Sequence, residues 1–155
     1  MDIYATIIKH SNDAIISKNL DGIIMSWNPA AEIIFGYSEQ EAIGHHISLV
    51  IPPDKMHEEP VFIQALREGR RIEHYETSRI RKDGTRIEVS ITLSPMKDDN
   101  GTIIGGSKIV RDVTARKIAE QRVVESEARL RSTLDRMLEG VQILNHGFQY
   151  LYVNE

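Results

Sequence analysis

Six histidines and no cysteine bound the chemistry open to this chain. Without a thiol there is no disulfide, no thiolate metal site, no cysteine nucleophile and no thiol adduct with a flavin or other chromophore. Two imidazoles meet one metal readily when they stand four residues apart on a helix. His45-His46, His57 and His74 offer no such pair, so no metal site is expected. His10 is of the right type for a phosphoacceptor, yet Ser11 and Asn12 follow it where an acid would help, and it leads into a strand. Gly101-Thr102-Ile103-Ile104-Gly105-Gly106-Ser107-Lys108 superficially resembles a phosphate loop. Its lysine and hydroxyl residues are transposed, and it reads as turn plus strand instead of loop plus helix. No Ser/His/Asp arrangement follows from order alone. No catalysis is therefore expected of this segment. Lys108 remains as a candidate binding residue. Facing inward with Gly106 and Val110 it would pair a ligand carboxylate or phosphate; the opposite register leaves an ordinary solvent-facing lysine and is the favoured one.

The bulk properties narrow the partners. A formal net charge of -4 argues against a nucleic-acid surface, which needs a clustered basic footprint. The local run Arg79, Arg81, Lys82 has acids close by and reads as a solvated strand end. No run approaches the roughly 18 apolar residues of a membrane span, so no membrane contact is expected from this segment. Met1-Asp2-Ile3-Tyr4 is no secretory signal, and a cytoplasmic location follows as the default.

The elements that must position any site are well punctuated. Ala14–Lys18 and Ile23–Trp27 read as strands joined at Asn19-Leu20-Asp21-Gly22, where Asp-Gly supplies the positive backbone angles of a tight hairpin. Asn28-Pro29 then starts a helix, asparagine as N-cap and proline at the first position, and Gly36 stops it. Short helical turns separated by Gly44 fill residues 38–50. Pro52-Pro53 breaks the chain, Asp54 is placed to cap the next helix, and Pro60 implies a kink or a start after residue 59. Three strands follow. The first, over Ile72–Arg81, is polar and poorly alternating, as an edge would be. The next carries Ile87, Val89, Ile91 and Leu93 on one face, and the last spans Thr102–Val113. Strands, helices, then hairpin-linked strands make an α+β arrangement, an antiparallel sheet with helices on one face.

After Thr114 there is no Gly or Pro until beyond Met137, and charge is dense. Ala119, Val123, Ser126, Leu130, Thr133 and Met137 alternate in four- and three-residue steps, the rhythm of a coiled-coil seam. Self-association through this helix is expected, with a solvated helix packed on its own domain as the alternative. At the C-terminus, Glu139-Gly140-Val141 and Tyr152-Val153-Asn154 match Asp13-Ala14-Ile15 and Ser26-Trp27-Asn28 at one common offset. Residues 138–155 therefore read as the start of a second copy of the first domain, giving segments 1–114, 115–137 and 138–155.

Trp27-Asn28-Pro29-Ala30-Ala31-Glu32, Phe35-Gly36-Tyr37-Ser38, Glu41 and Gly44 resemble the first half of a PAS domain. Arg81-Lys82-Asp83-Gly84-Thr85, Ser94-Pro95-Met96 and Val110-Arg111-Asp112-Val113-Thr114 resemble its second half, in the family's order. The resemblance implies a five-stranded antiparallel sheet cupping a small pocket beneath the central helices. It implies a sensory input and dimerisation module of a sensor histidine kinase, followed by a signalling linker helix. A structural spacer without a ligand, or the input domain of a cyclic-dinucleotide enzyme, are the alternatives. Residues 138–155 then resemble a truncated second PAS domain.

Against the family pattern, the pocket candidates are Met56, His57, His74, Val89, Ile91, Leu93 and Lys108, and the signal-relay candidates are Arg111, Asp112, Val113 and Thr114. Haem-binding members carry an axial histidine where this chain has Glu59, and His57 lies about 200° away around a helix. Haem is not expected, and no other cofactor is specified. The expected partners are a second copy, met through the linker helix and sheet, and a small-molecule ligand. Asp112 and Thr114 stand where strand becomes helix, so either can cap the first free N–H groups.

Overall fold

The computed structural model describes residues 2–148, with side-chain surroundings through residue 140. A first helix, α1 (Ile3–His10), which the sequence reading did not anticipate, is capped by Asp2 through Tyr4 N–H. Strands β1 (Ala14–Asn19) and β2 (Ile24–Trp27) form the hairpin, with Gly22 at φ 80° in its turn. Helices α2 (Pro29–Phe35), α3 (Glu39–Ala42) and α4 (Glu58–Arg67) follow, with two 3-10 turns between α3 and α4. Strands β3 (Ile72–Ile80), β4 (Arg86–Lys97) and β5 (Ile103–Asp112) complete an antiparallel sheet in the order β2-β1-β5-β4-β3. Helix α5 (Thr114–Phe148) ends the described chain.

Local chemistry explains the helix starts. Asn28 Oδ1 accepts from Ala31 N–H at 3.0 Å as an N-cap, and Gly36 at φ 82° closes α2. The same buried side chain does more than cap. Its oxygen also accepts from Ile15 N–H, and its amide donates to the carbonyls of Ile8 and Asp13. One asparagine thus ties α1, β1 and α2 together, and every one of its polar atoms is satisfied, as a buried amide requires. Trp27 packs on Phe35 and donates its indole N–H to the Tyr37 carbonyl.

Three expectations need correction. Asp54 caps nothing: it sits in a 3-10 turn and forms a two-pronged ion pair with Arg86, which holds its carboxyl down to about 2. Helix α4 starts at Glu58, before Pro60. Proline is tolerated there without a kink because a first-turn N–H has no partner within the helix. At the C-terminus α5 continues through Glu139-Gly140-Val141, where the repeat predicted a strand. One interior glycine costs a helix only about 1 kcal/mol against alanine, too little to end it among good helix formers. The second half of the repeat, Tyr152-Val153-Asn154, lies outside the described residues.

β3 does lie at the sheet edge. The contacts divide the chain into two compact units, Met1–Thr114 and Ala115–Glu155. Along the second, Val123, Leu130 and Met137 are exposed.

Candidate functional site

The sheet's helix-covered face alternates as its sequence demands, but what it buries is only partly apolar. From β4, Ile87, Val89, Ile91 and Leu93 all lie in the core. From β1 the inward positions are Ala14, Ile16 and Lys18, and from β5 Gly106, Lys108 and Val110. Lys18 and Lys108 are 0% and 1% exposed. The strand registers put Ile16 opposite Lys108 and Lys18 opposite Gly106, so the two lysines are diagonal neighbours on one face. β5 therefore adopts the inward register for Lys108, the one the sequence reading did not favour. Gly105 and Gly106 make the close packing there. A Cβ on Gly106 would stand 2.7 Å from the Leu66 side chain, and one on Gly105 would stand 2.1 Å from the Lys18 carbonyl.

Helix α4 supplies the anions. Glu58 and Glu59 are successive residues, about 100° apart around the helix, so their carboxylates reach in different directions. Glu59 accepts from Lys18 Nζ at 2.6 and 2.8 Å. Glu58 accepts from Thr77 Oγ1 at 2.6 Å, Arg79 Nη1 at 2.7 Å and the Tyr75 hydroxyl at 2.8 Å. Burial pushes the Glu58 carboxyl up, but those three donors outweigh it and hold it below the usual range. Burial likewise raises the Tyr75 hydroxyl, with Glu58 adding to the effect. Burial lowers Lys18 against the attraction of Glu59.

Lys108 is different. Its Nζ has no hydrogen-bond acceptor, and neither does Arg79 Nη2. It lies 5.5 Å from the centre of the Phe62 ring, with Lys18 Nζ at 5.7 Å from the same ring. A ring face attracts cations but does not replace a carboxylate. Burial lowers Lys108 well below the ordinary lysine range; Lys18 and Arg79 push the same way, while Glu59 and Glu58 oppose them.

The sequence candidates divide accordingly. Val89, Ile91, Leu93 and Lys108 come together on this face. Met56 and His57 do not join them: both are exposed just before α4. His74 is exposed too, at φ 52° in an irregularity of β3 where the pairing shifts register. Among the described residues no His/Asp/Glu cluster could hold a metal. Glu59 is engaged at both oxygens by Lys18 and is unsuited to an axial position on haem iron. Sequence reading missed Lys18, Glu58, Arg79, Thr77, Tyr75 and Phe62. A signal existed for Lys18, in phase with Ala14 and Ile16. None existed for Arg79, because β3 does not alternate.

The relay candidates sit at the end of β5. Arg111 pairs with Asp13 on the exposed side. Asp112 Oδ1 accepts from Thr114 N–H at 2.9 Å, so it does meet the start of α5. Thr114 acts elsewhere: its hydroxyl oxygen accepts from Glu88 N–H at 2.9 Å. Val113, itself buried, donates its N–H to the Glu88 carbonyl at 2.8 Å. Glu88 of β4 therefore holds the junction from both sides of its peptide. Its carboxylate in turn accepts from Ser78 of β3, whose carbonyl accepts from Arg79.

A family model described as the PAS fold matches residues 2–113. The chain belongs to the PAS family. It is 34% identical over 135 residues to the signal transduction histidine-protein kinase AtoS of Escherichia coli, covering 87% of this chain and 21% of that protein. It is 35% identical over 125 residues to two-component system protein A of Emericella nidulans, covering 77% of this chain and 18% of that protein. Among solved structures, the PAS domain of a protein from Colwellia psychrerythraea superposes with a TM-score of 0.66 at 29% identity, covering 72% of this chain and 95% of that one. The chain spans about a fifth of the length of these curated relatives. No described helix is long and apolar enough to cross a membrane.

Proposed function

We propose that this chain is the sensory input and dimerisation module of a cytoplasmic two-component histidine kinase, passing the state of its buried face to α5. The similarity to histidine-kinase and two-component proteins supports that parent. The observation that carries the relay is the grip of Glu88 on Val113 and Thr114, because any shift of β4 must move the first turn of the helix. The polar chain Glu58, Arg79, Ser78, Glu88, Thr114 offers the cluster a physical route to that turn. Asp112→Ala in the full-length kinase removes the helix's capping carboxylate; we expect a folded protein whose autophosphorylation no longer follows its stimulus. A normal response refutes the relay. Dimerisation is assigned to α5, whose exposed Val123, Leu130 and Met137 form the seam. Truncation after Thr114 should weaken the dimer in sedimentation, and an unchanged dimer places the interface elsewhere.

A second reading rests on the self-pairing of Lys18 with Glu59 and Arg79 with Glu58. Side chains that pair among themselves suit a spacer domain with no ligand. Native mass spectrometry distinguishes the two: a retained small molecule supports the sensor, whereas none retained, and no stabilisation across a metabolite panel, supports the spacer.

A further inference from the structure

His46 is exposed overall, yet both of its ring nitrogens meet the protein. The 3-10 turn Ile47–Val50 starts on it, with His46 Nδ1 accepting from Ser48 N–H at 3.0 Å. Only a neutral ring does this, because both nitrogens of an imidazolium are donors. The backbone on either side is tied to the β1–β2 hairpin. Ile24 N–H donates to the His45 carbonyl at 2.9 Å, and Ile47 N–H to the Gly22 carbonyl at 2.8 Å. The other edge of the ring lies against Gly22, beside the buried cluster. A Cβ on Gly22 would stand 2.5 Å from His46 Nε2 and 3.2 Å from Glu59 Oε2. Nε2 and the carboxylate are therefore within the roughly 6 Å over which one charge strongly favours its opposite. Glu59 already commits both oxygens to Lys18 Nζ.

We infer that His46 is a proton-operated latch on the Lys18–Glu59 pair. Neutral, it holds Ser48 and leaves Glu59 to Lys18. Protonated, it releases Ser48 N–H, and its charge competes with Lys18 for Glu59. By ordinary side-chain chemistry, imidazole is the group that changes charge between about pH 5 and 8. The charged groups around the ring are Glu59 from α4 and Lys18 of β1 behind it, with Asp21 and His45 adjoining Gly22 and His46 in the chain. Glu59 compensates the buried Lys18, so a pull on that carboxylate is felt inside the sheet. The latch rests on the sensor reading only for the passage of its effect to α5.

The test follows the 155-residue chain by NMR from about pH 8 to about pH 5. The Ser48 amide proton should move upfield as its acceptor is lost. The Lys18 ε-protons should shift with it, both on the midpoint of the His46 ring protons. His46→Asn keeps a cap that does not titrate, since the asparagine oxygen accepts the same N–H, and should abolish the Ser48 transition. Lys108, which burial lowers, acts on Lys18 in both proteins. Only the part of the Lys18 shift that disappears in His46→Asn belongs to His46, and most of it should disappear. A Ser48 amide that stays still while the His46 ring titrates overturns the latch, as does a Lys18 response unchanged in His46→Asn. If that variant does not fold, unequal midpoints for Ser48 and the His46 ring in the unaltered chain overturn it. The Thr114 amide separates the two readings. A response at Ser48 and Lys18 that never reaches Thr114 supports the latch and refutes the relay to α5.

Discussion

Glu58 and Glu59 are neighbours on one helix, yet they open onto two different interiors. On the Glu58 side three donors converge on one carboxylate and the Tyr75 and Phe62 rings meet edge to face, with Arg79 Nη2 left without an acceptor. On the Glu59 side Lys18 is paired, but Lys108 beside it has no acceptor. A satisfied polar network rigidifies a core, whereas a buried donor without an acceptor costs stability. The contrast lies between two sides of the first turn of α4, one centred on a carboxylate with three donors and one holding an unpartnered amine.

Breaking the closed end should have the largest effect. Glu58→Ala strands the Arg79 guanidinium and removes acceptors from Tyr75 and Thr77. Loss of one member of a buried pair costs about 3–5 kcal/mol, read by urea unfolding. The donors hold the Glu58 carboxyl below its unfolded value, so its contribution is present above the unfolded carboxylate range. It is lost as pH falls through the folded one. Glu58→Ala should therefore flatten the acid limb of the stability curve.

The open end should respond in the opposite direction. Lys108→Met removes an unpaired buried amine of similar length, and we expect a gain of about 1–4 kcal/mol at neutral pH. Burial lowers the folded-state pKa of Lys108, so the unfolded chain binds more protons between the folded value and the ordinary lysine range. Stability of the unaltered protein should rise with pH across that window, and the variant should lose part of the rise. Lys18, also lowered, accounts for the part that stays. A Lys108→Met protein less stable than the parent at neutral pH, with the same pH slope, would erase the distinction between the two ends.

The junction sharpens the comparison with the smallest effect. Thr114→Val removes the acceptor for Glu88 N–H and should cost about 1 kcal/mol. Hydrogen exchange at Glu88 should quicken while exchange at Ile91 in the same strand stays slow.

Legibility followed the kind of signal each residue carried. The turn at Asp21-Gly22, the cap at Asn28 and the stop at Gly36 rest on backbone geometry that few residues can adopt, so they could be read directly. The alternation in β4 was equally clear, because an apolar side chain every second residue has one plausible face. Asp54 misled because a good cap is also a good partner for a distant arginine, and Arg86 lies 32 residues away. His57 and Met56 misled because proximity in sequence to α4 says nothing about direction; both precede its first turn and face outward. The repeat at the C-terminus rested on three-residue matches, which a continuous helix overrode.

The absence of thiol chemistry, the family and the place where strand gives way to α5 were determined by the sequence alone, because each depends on residue identity or on local backbone preference. The register of β5 and the partners of Lys108 were decided only in three dimensions. A lysine in a strand reads as solvated until Gly106 lets Leu66 close over it, and whether its charge is balanced depends on β1, β3 and α4 arriving together. Burial and charge compensation are properties of the assembled interior.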